Sequence, residues 1–291
     1  MNKIIITGSS GKLGNHLVNS LSNDFKIFHF GRKKRKFDLT KKKKFENYIL
    51  QIKPDFIINC AAITDIETCE FKKKYTEKVN VGIVKNLIDT KNRFNLSFKL
   101  IQISTDQMYD SSNVIKNHEN QKSVINNNYT RQKLQAERIS LKNNSIILRT
   151  NFFGFSNSGN NQTFTDWLYT EASRNSYIKL FNDVKFNPLS LITLSEIIKK
   201  IIKKNNKKIY GIYNLGSKSG LSKEKFALKF LKKFKKLNYK SVSVNSVLKV
   251  KRSKNMIMNI NKIQKKLNVK LPDINDEIRK EIKNYNNNRF T

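Results

Sequence analysis

The N-terminal part of the chain alternates short apolar runs with segments of helical apolar spacing. Four runs rich in isoleucine and phenylalanine predict strands over residues 3–7, 26–30, 56–59 and 99–104. Apolar residues recur at every fourth position in Leu13, Leu17 and Leu21, and the stretches 45–52 and 76–90 also predict helices. Such alternation is typical of a parallel sheet covered on both faces. We therefore expect a doubly wound α/β domain.

The pattern becomes less regular after the fourth strand. Residues 111–128 are rich in Asn, Ser, Lys and Gln and predict a long loop. A helix over 129–141 and a strand over 145–149 complete the sheet, and further elements are expected over 165–174, 211–215, 223–237 and 275–285. We expect residues 1–150, with a return segment at about 187–215, to form the sheet domain. Residues 151–291 mainly form a smaller C-terminal α/β domain.

The chain is strongly basic, with 58 Lys and Arg against 22 Asp and Glu and a formal net charge of +36. Clustered cations attract phosphate, so nucleic acid is one candidate partner. Lys, Asn, Ile and Phe are frequent along the whole length, however, so we attribute the charge to compositional bias and expect no specific nucleic-acid partner. The apolar runs are too short to span a membrane, and no export signal is visible. A cytoplasmic location is therefore expected.

The histidines and cysteines do not predict a metal site. Cys60 and Cys69 lie nine residues apart without zinc-ligand spacing, and His16, His29 and His118 are dispersed. We expect two free thiols and no metal.

A glycine-rich turn follows the first strand. Gly8, Gly11 and Gly14 stand between a predicted strand and a predicted helix, where the backbone can approach a pyrophosphate and helix N–H groups can point at it. The context predicts a dinucleotide site. The second strand ends in Arg32 with no carboxylate before Asp38, so Arg32 is the expected partner of a 2′-phosphate and NADPH the expected cofactor, with NADH left open.

A phenol and an ammonium are spaced for proton chemistry. Tyr129 and Lys133 lie four positions apart on a predicted helix, so that the Lys cation favours the phenolate form. Thr105 and Asp106 follow the fourth strand, at the sheet edge where α/β proteins bind ligands. Thr105 can donate a hydrogen bond to a substrate carbonyl oxygen. This combination, in this order behind a glycine-rich first turn, would rarely arise by chance.

Taken together, these motifs resemble the extended short-chain dehydrogenase/reductases and, more closely, the dTDP-4-dehydrorhamnose reductase family. The resemblance covers nearly the whole chain. It rests on the segments 7–14, 37–40, 53–64, 103–106, 129–133, 147–150, 211–215 and 271–273.

The resemblance implies a Rossmann fold and hydride transfer from NAD(P)H to a nucleotide-linked 4-keto-6-deoxy sugar, in deoxysugar and surface polysaccharide biosynthesis. Tyr129 would be the proton donor, Lys133 would hold the nicotinamide ribose and Thr105 would orient the carbonyl. The implied cofactor contacts are Gly8, Gly11, Lys12, Leu13, Gly14, Arg32, Asp38, Leu39, Ala62, Ile63, Thr64, Tyr129 and Lys133.

The substrate side departs from the family. After Thr150 the family commonly has Ser-Trp, whereas this chain has Asn151 and Phe152; Phe152 can still stack on a sugar ring. Asp106 would adjoin the sugar, and Arg252 and Lys254 are candidates for the substrate diphosphate. A nucleotide-sugar 4-epimerase and a non-catalytic NADP-binding regulatory subunit remain alternatives. The sequence does not determine which sugar is bound or whether the chain forms a homodimer.

Overall fold

The computed structural model describes residues 1–31, 37–111, 115–155, 163–204, 209–234 and 237–289. The chain divides into two units. Unit 1 comprises Met1–Thr105, Asn127–Arg149 and Ser195–Tyr213, and unit 2 comprises Asp106–Asn126, Thr150–Leu194 and Asn214–Thr291.

Strands and helices alternate along the described chain. The strands are β1 (Lys3–Thr7), β2 (Lys26–Phe30), β3 (Phe56–Asn59), β4 (Lys99–Thr105), β5 (Ile146–Thr150), β6 (Phe152–Phe153), β7 (Tyr177–Phe181), β8 (Lys185–Phe186), β9 (Leu189–Ser190), β10 (Gly211–Leu215), β11 (Leu221–Ser222) and β12 (Asn238–Val242). The helices are α1 (Lys12–Leu21), α2 (Lys42–Ile52), α3 (Ile66–Phe71), α4 (Lys73–Asn80), α5 (Gly82–Arg93), α6 (Asn128–Leu141), α7 (Phe164–Ser173), α8 (Leu191–Lys204), α9 (Lys223–Leu231), α10 (Asn261–Leu267) and α11 (Ile274–Arg289).

Unit 1 is built on a six-stranded sheet of order β10-β5-β4-β3-β1-β2. β1 pairs in parallel with both β2 and β3, and β3 with β4, so the carboxyl ends of these strands share one edge. The strand order reverses between β1 and β3, which is where doubly wound sheets bind their ligands. The predicted α/β fold is confirmed, and it places the glycine turn and the segment after β3 at this edge.

Apolar side chains on both faces of the sheet explain why these segments form strands. Ile4, Ile5 and Ile6 are fully buried, as are Ile57 and Ile58 in the neighbouring strand. β-Branched residues suit this double-sided burial, and each buried side chain contributes about 1.5–3 kcal/mol of transfer free energy. The interior strands are therefore the rigid support for the residues that follow them.

Unit 2 has its own core and three small sheets. β6 pairs with β9 and β7 with β12 in parallel, while β8 and β11 are antiparallel. Phe153, Phe226, Phe230 and Tyr285 are among its fully buried rings, and Phe153 meets Phe226 edge-on with ring centroids 4.8 Å apart. This aromatic core holds α7, α9 and α11 around the short strands.

Two predicted helices are shorter or divided in the structure. The stretch 76–90 is not one helix, because α4 ends at Asn80 and α5 begins at Gly82. Beside this interruption the buried Asn80 side chain bonds to both backbone groups of Ile63. The helix predicted over 223–237 ends at Leu231, after which Phe234 N donates to Leu231 O in a tight turn. Helix α3, over Ile66–Phe71, was not predicted.

Candidate active site

The turn after β1 is shaped to receive a phosphate group. Gly8 has φ +69°, a conformation that favours glycine, and Gly11 N donates to Gly8 O at 2.9 Å. A Cβ placed on Gly14 would lie 2.3 Å from Gly8 O, so only glycine allows α1 to pack this closely on the turn. Gly11 caps α1 without a side-chain hydrogen bond. First-turn N–H groups of α1 are thus suited to a pyrophosphate.

Two further residues that are predicted to contact the cofactor, Lys12 and Leu13, lie at the start of α1. Leu13 is buried and packs inward, so that a phosphate would meet its backbone N–H and not its side chain. Lys12 is half-buried at the first position of the helix. Ser9 N donates to Phe30 O at 3.1 Å and ties the turn to β2.

The predicted adenosine contacts differ in exposure. Asp38 is exposed and accepts hydrogen bonds from Thr40 N and Oγ1 at 2.9 and 2.6 Å. The bond from the Thr40 hydroxyl, helped by the nearby cations Lys78 and Lys41, holds the pKa of Asp38 below its usual value. Leu39 is buried. Arg32, predicted to bind a 2′-phosphate, lies outside the described residues.

The segment after β3 is held in place by a buried amide. Asn80 accepts from Ile63 N at 2.7 Å and donates to Ile63 O at 3.0 Å and to Gln132 Oε1 at 2.8 Å. Ala62 and Ile63 are half-buried and Thr64 is exposed. Asn80 therefore links the predicted cofactor segment to α6. Sequence reasoning missed this role, because it depends on contacts between distant segments.

Tyr129 and Lys133 lie in the first two turns of α6. The helix begins after Asn127, whose side chain accepts from Thr130 N at 3.0 Å. Tyr129 is 7% exposed and Lys133 4%, and the Lys133 ammonium donates to Ile103 O at 2.6 Å. Ile103 lies two residues before Thr105, which is buried at the end of β4. The structure thus attaches the Lys133 side chain to the strand that carries Thr105.

Burial makes Lys133 an unusually weak base. Removal from water lowers its pKa to about 8, while the Glu137 carboxylate acts in the opposite direction. The ammonium can therefore lose its proton within the range in which enzymes commonly work. Burial also raises the pKa of the neighbouring Cys60 thiol to about 12, so this cysteine stays neutral.

An ion pair lies one turn beyond Lys133. Arg149 of β5 donates from Nε and Nη2 to the two carboxylate oxygens of Glu137, with a shortest distance of 2.7 Å. Both side chains are almost fully buried. The sequence analysis did not identify this pair. Glu137 lies four residues after Lys133, and this spacing is the only local feature of the sequence that points to Glu137.

Unit 2 contains a second polar cluster. Asp106 accepts a hydrogen bond from Asn151 Nδ2 at 2.9 Å. Ser253 Oγ donates to Gln107 O at 2.9 Å, and this bond holds the neighbouring Arg252 near the segment that follows β4. Lys223, at the start of α9, lies 5.5 Å from the Phe164 ring centroid. Burial lowers the pKa of Lys223, Asp106 opposes this effect, and the Arg252 cation adds to it. Two mutually repelling cations are suited to an anionic ligand.

The other predicted substrate contacts are placed as follows. Arg252 donates from Nη1 to Val250 O at 3.0 Å and is half-buried. Phe152 is half-buried in β6, whereas Phe153 belongs to the core. Lys254 forms an ion pair with Asp183 at 2.8 Å. Lys254 is already paired with a carboxylate, so Lys223 is the better candidate to bind an anionic ligand together with Arg252. The sequence analysis did not select Lys223.

The described residues contain neither a metal-ligand cluster nor a membrane-spanning helix. No group of three or more His, Cys, Asp or Glu side chains in this part of the chain could hold a metal ion. Among its helices, none is long and apolar enough to cross a membrane.

A doubly wound sheet with a glycine turn after its first strand, and a tyrosine and a lysine four apart on a helix, defines a nicotinamide-dependent oxidoreductase of the extended short-chain type. Residues 1–287 match the family model described as RmlD substrate binding domain. The chain belongs to this family.

Two curated relatives and a solved structure agree with this assignment. A dTDP-4-dehydrorhamnose reductase of Aggregatibacter actinomycetemcomitans is 29% identical over 234 residues, which cover 78% of each chain. A protein of the same name from Sinorhizobium fredii is 22% identical over 290 residues, or 96% of each chain. The crystal structure of dTDP-4-dehydrorhamnose reductase from Bacillus anthracis with NADP has a TM-score of 0.88 and 23% identity, covering 97% of this chain and 99% of that one.

These comparisons confirm the predicted family and enzyme class. The expected NADP cofactor agrees with the cofactor held by the Bacillus anthracis structure. The individual roles of Thr105, Tyr129 and Lys133 stay predictions.

Proposed function

We propose that the chain reduces the 4-keto group of a nucleotide-linked 6-deoxy sugar with NADPH, as a dTDP-4-dehydrorhamnose reductase does. The observation that carries this proposal is the Tyr129–Lys133 pair, which is buried on one helix and attached through Ile103 to the strand that carries Thr105. The product would enter deoxysugar and surface polysaccharide biosynthesis.

The cofactor would be held by unit 1. The α1 N-terminus and the turn at Gly8, Gly11 and Gly14 fit the pyrophosphate, because neither a Cβ nor a capping side chain obstructs the backbone there. Asp38 and Leu39 would contact the adenosine, and the backbone at Ala62, Ile63 and Thr64 would follow the dinucleotide. Bound NADPH would supply the hydride for the carbonyl carbon, while residues of the protein would bind and orient the substrate and transfer the proton.

Proton transfer would be the task of Tyr129. As the carbonyl carbon accepts the hydride, its oxygen becomes an alkoxide, and the Tyr129 hydroxyl donates a proton to it. The Lys133 ammonium stabilises the resulting phenolate and binds the ribose. Thr105 donates a hydrogen bond to the carbonyl oxygen and holds it in one orientation. The three groups therefore divide proton transfer, charge stabilisation and substrate orientation among them.

The substrate would be bound by unit 2. Arg252 and Lys223 together carry the positive charge that a diphosphate requires, and Arg252 can bind phosphate oxygens with two N–H groups. Asp106 and Phe152 would contact the sugar, through hydrogen bonds and through stacking on the ring.

The direct test is product analysis. The protein is incubated with dTDP-4-keto-6-deoxy sugars and with NADPH that carries deuterium at the transferable position, and the product is examined by mass spectrometry and NMR. A deoxysugar nucleotide with deuterium at C4 is expected. Inversion at C4 of a 4-hydroxy sugar nucleotide offered in parallel, with no net use of NADPH, would indicate a 4-epimerase. NADPH binding without any product would indicate a regulatory subunit, and either result would refute the proposal.

A further inference from the structure

Three charged side chains lie inside unit 1 along α6 and β5. Lys133, Glu137 and Arg149 are 4%, 1% and 2% exposed. Charged residues are seldom buried this far unless they are paired, because removing an ion from water costs several kcal/mol. Their arrangement therefore calls for a physical reason.

The geometry makes Glu137 the central member. Arg149 Nε donates to Glu137 Oε1 and Oε2 at 3.0 and 3.2 Å, and Arg149 Nη2 donates to Oε2 at 2.7 Å. This forked contact fixes the plane of the carboxylate. Lys133 precedes Glu137 by one helical turn, and the carboxylate favours its charged form. The Lys133 ammonium itself donates to Ile103 O at 2.6 Å.

Stability alone does not account for such an arrangement. A buried ion pair is often no more stabilising than apolar side chains of similar volume. The Glu137–Arg149 pair instead lies next to Lys133, whose protonation matters for the proposed chemistry. Of the two paired residues, the negatively charged Glu137 is the one that lies one helical turn from Lys133.

We propose that Glu137, clamped by Arg149, is a positioning residue that keeps the Lys133 ammonium protonated and thereby sets the pH range in which the Tyr129–Lys133 pair works. This inference rests on the proposed function for its catalytic meaning. Its physical content is a charge interaction that can be measured without any substrate.

The groups that act on Lys133 come from several elements. Glu137 belongs to α6 itself, Cys60 to the segment after β3 and Cys69 to α3. Both thiols have raised pKa values, mainly because of burial, so they are neutral near pH 7. Glu70 of α3 accepts from Asn128 N at the start of the helix. Glu137 is therefore the main negative charge that acts on this lysine.

The test is an NMR titration of the lysine side chains in the full chain without ligand. Lys133 is assigned by the signal lost in Lys133→Met, and it stands apart because ordinary lysines titrate near pH ~10.4. We expect its midpoint near 8 in the wild type and about one pH unit lower in Glu137→Gln, because an opposite charge has been removed. In Arg149→Met the carboxylate acts unopposed, so a shift to higher pH is expected.

A matched control and a double variant make the result decisive. Glu46→Gln removes another buried carboxylate of unit 1, which interacts with Arg93 and Thr90, and it should leave the Lys133 midpoint unchanged. If the single variants do not fold, Glu137→Gln combined with Arg149→Met leaves no unpaired charge and should still lower the midpoint. A folded variant lacking Glu137 with an unchanged Lys133 midpoint would overturn the inference.

Turnover links the inference to catalysis. The alkaline limb of the kcat/KM profile should shift in the same direction as the Lys133 midpoint in each variant. If the midpoint shifts while no sugar nucleotide is reduced by the wild type, the proposed function fails and the charge interaction stands. If the midpoint does not shift, the positioning role fails whatever the turnover.

Discussion

The polar clusters around Lys133 and around Arg252 show which contacts between side chains can be predicted from the sequence and which cannot. Tyr129 and Lys133 are four apart on one helix, so their proximity could be predicted from local spacing. The pairing of Glu137 with Arg149 and the approach of Lys223 to Arg252 join segments that are distant in sequence. No periodicity encodes such contacts. In a chain with 58 Lys and Arg, sequence alone could not separate Lys223 from its many exposed counterparts.

Lys223 and Arg252 provide the prediction at this scale. Lys223→Met and Arg252→Met should each weaken dTDP binding by about tenfold or more, since a hydrogen bond to a charged group contributes about 1.5–3 kcal/mol. NADPH affinity should not change. Isothermal titration calorimetry with each ligand measures both effects. Lys225→Met, at an exposed position two residues further along α9, is the control. Wild-type dTDP affinity in both variants would remove these residues from the substrate site.

The strands buried on both faces were predicted well. The two-residue strands and the division of one helix by a long-range contact were not. β1 to β4 are continuous apolar runs, and their parallel pairing brings the glycine turn and the segment after β3 to one edge. The two-residue strands β6, β8, β9 and β11 carry no readable alternation. The division between α4 and α5 was also missed, because it lies beside the long-range contact of Asn80 with Ile63.

The packing of α1 on the glycine turn gives the prediction at the scale of elements. Gly14→Ala would place a Cβ 2.3 Å from Gly8 O, which must displace the helix start. Overpacking of this kind costs about 1–3 kcal/mol, so NADPH affinity should fall by about fivefold or more. Fluorescence titration with NADPH measures it. Gly82→Ala is the control, because its Cβ would meet no atom closer than 3.9 Å. Equal NADPH affinity in both variants would contradict the predicted role of the turn.

The molecule as a whole is strongly basic, yet unit 2 buries acidic side chains. Glu281 is fully buried, with Oε1 accepting from Phe155 N at 2.7 Å. Burial raises the pKa of Glu281, and the nearby carboxylates of Glu277 and Asp166 act in the same direction. For an acid with a raised folded pKa, the stabilisation is complete below the unfolded pKa and is lost as pH rises through the folded value. Unit 2 should therefore lose stability as pH rises from the ordinary glutamate pKa of 4.5 through the raised pKa of Glu281.

Glu281→Gln tests this pH dependence. The substitution keeps the size of the side chain and removes the charge, so it should raise Tm above the pH at which Glu281 ionises and flatten the dependence of Tm on pH. Differential scanning calorimetry at several pH values measures the change, at about 2–4 °C for each kcal/mol. Asp276→Asn, at an exposed position of α11, should not alter the slope. A Glu281→Gln protein with the wild-type slope would show that this carboxyl is not responsible.

The central claim is that Tyr129 donates the proton in an NADPH-dependent ketoreduction. The measurement that tests it most directly is the loss of NADPH absorbance with dTDP-4-keto-6-deoxy sugars, for the wild type beside Tyr129→Phe. Removal of a general acid typically costs about 10²–10⁴-fold in rate, so turnover should fall by that factor while the variant still binds NADPH. Tyr177→Phe, at a position 68% exposed, should behave as the wild type. Undiminished turnover in Tyr129→Phe would contradict the claim.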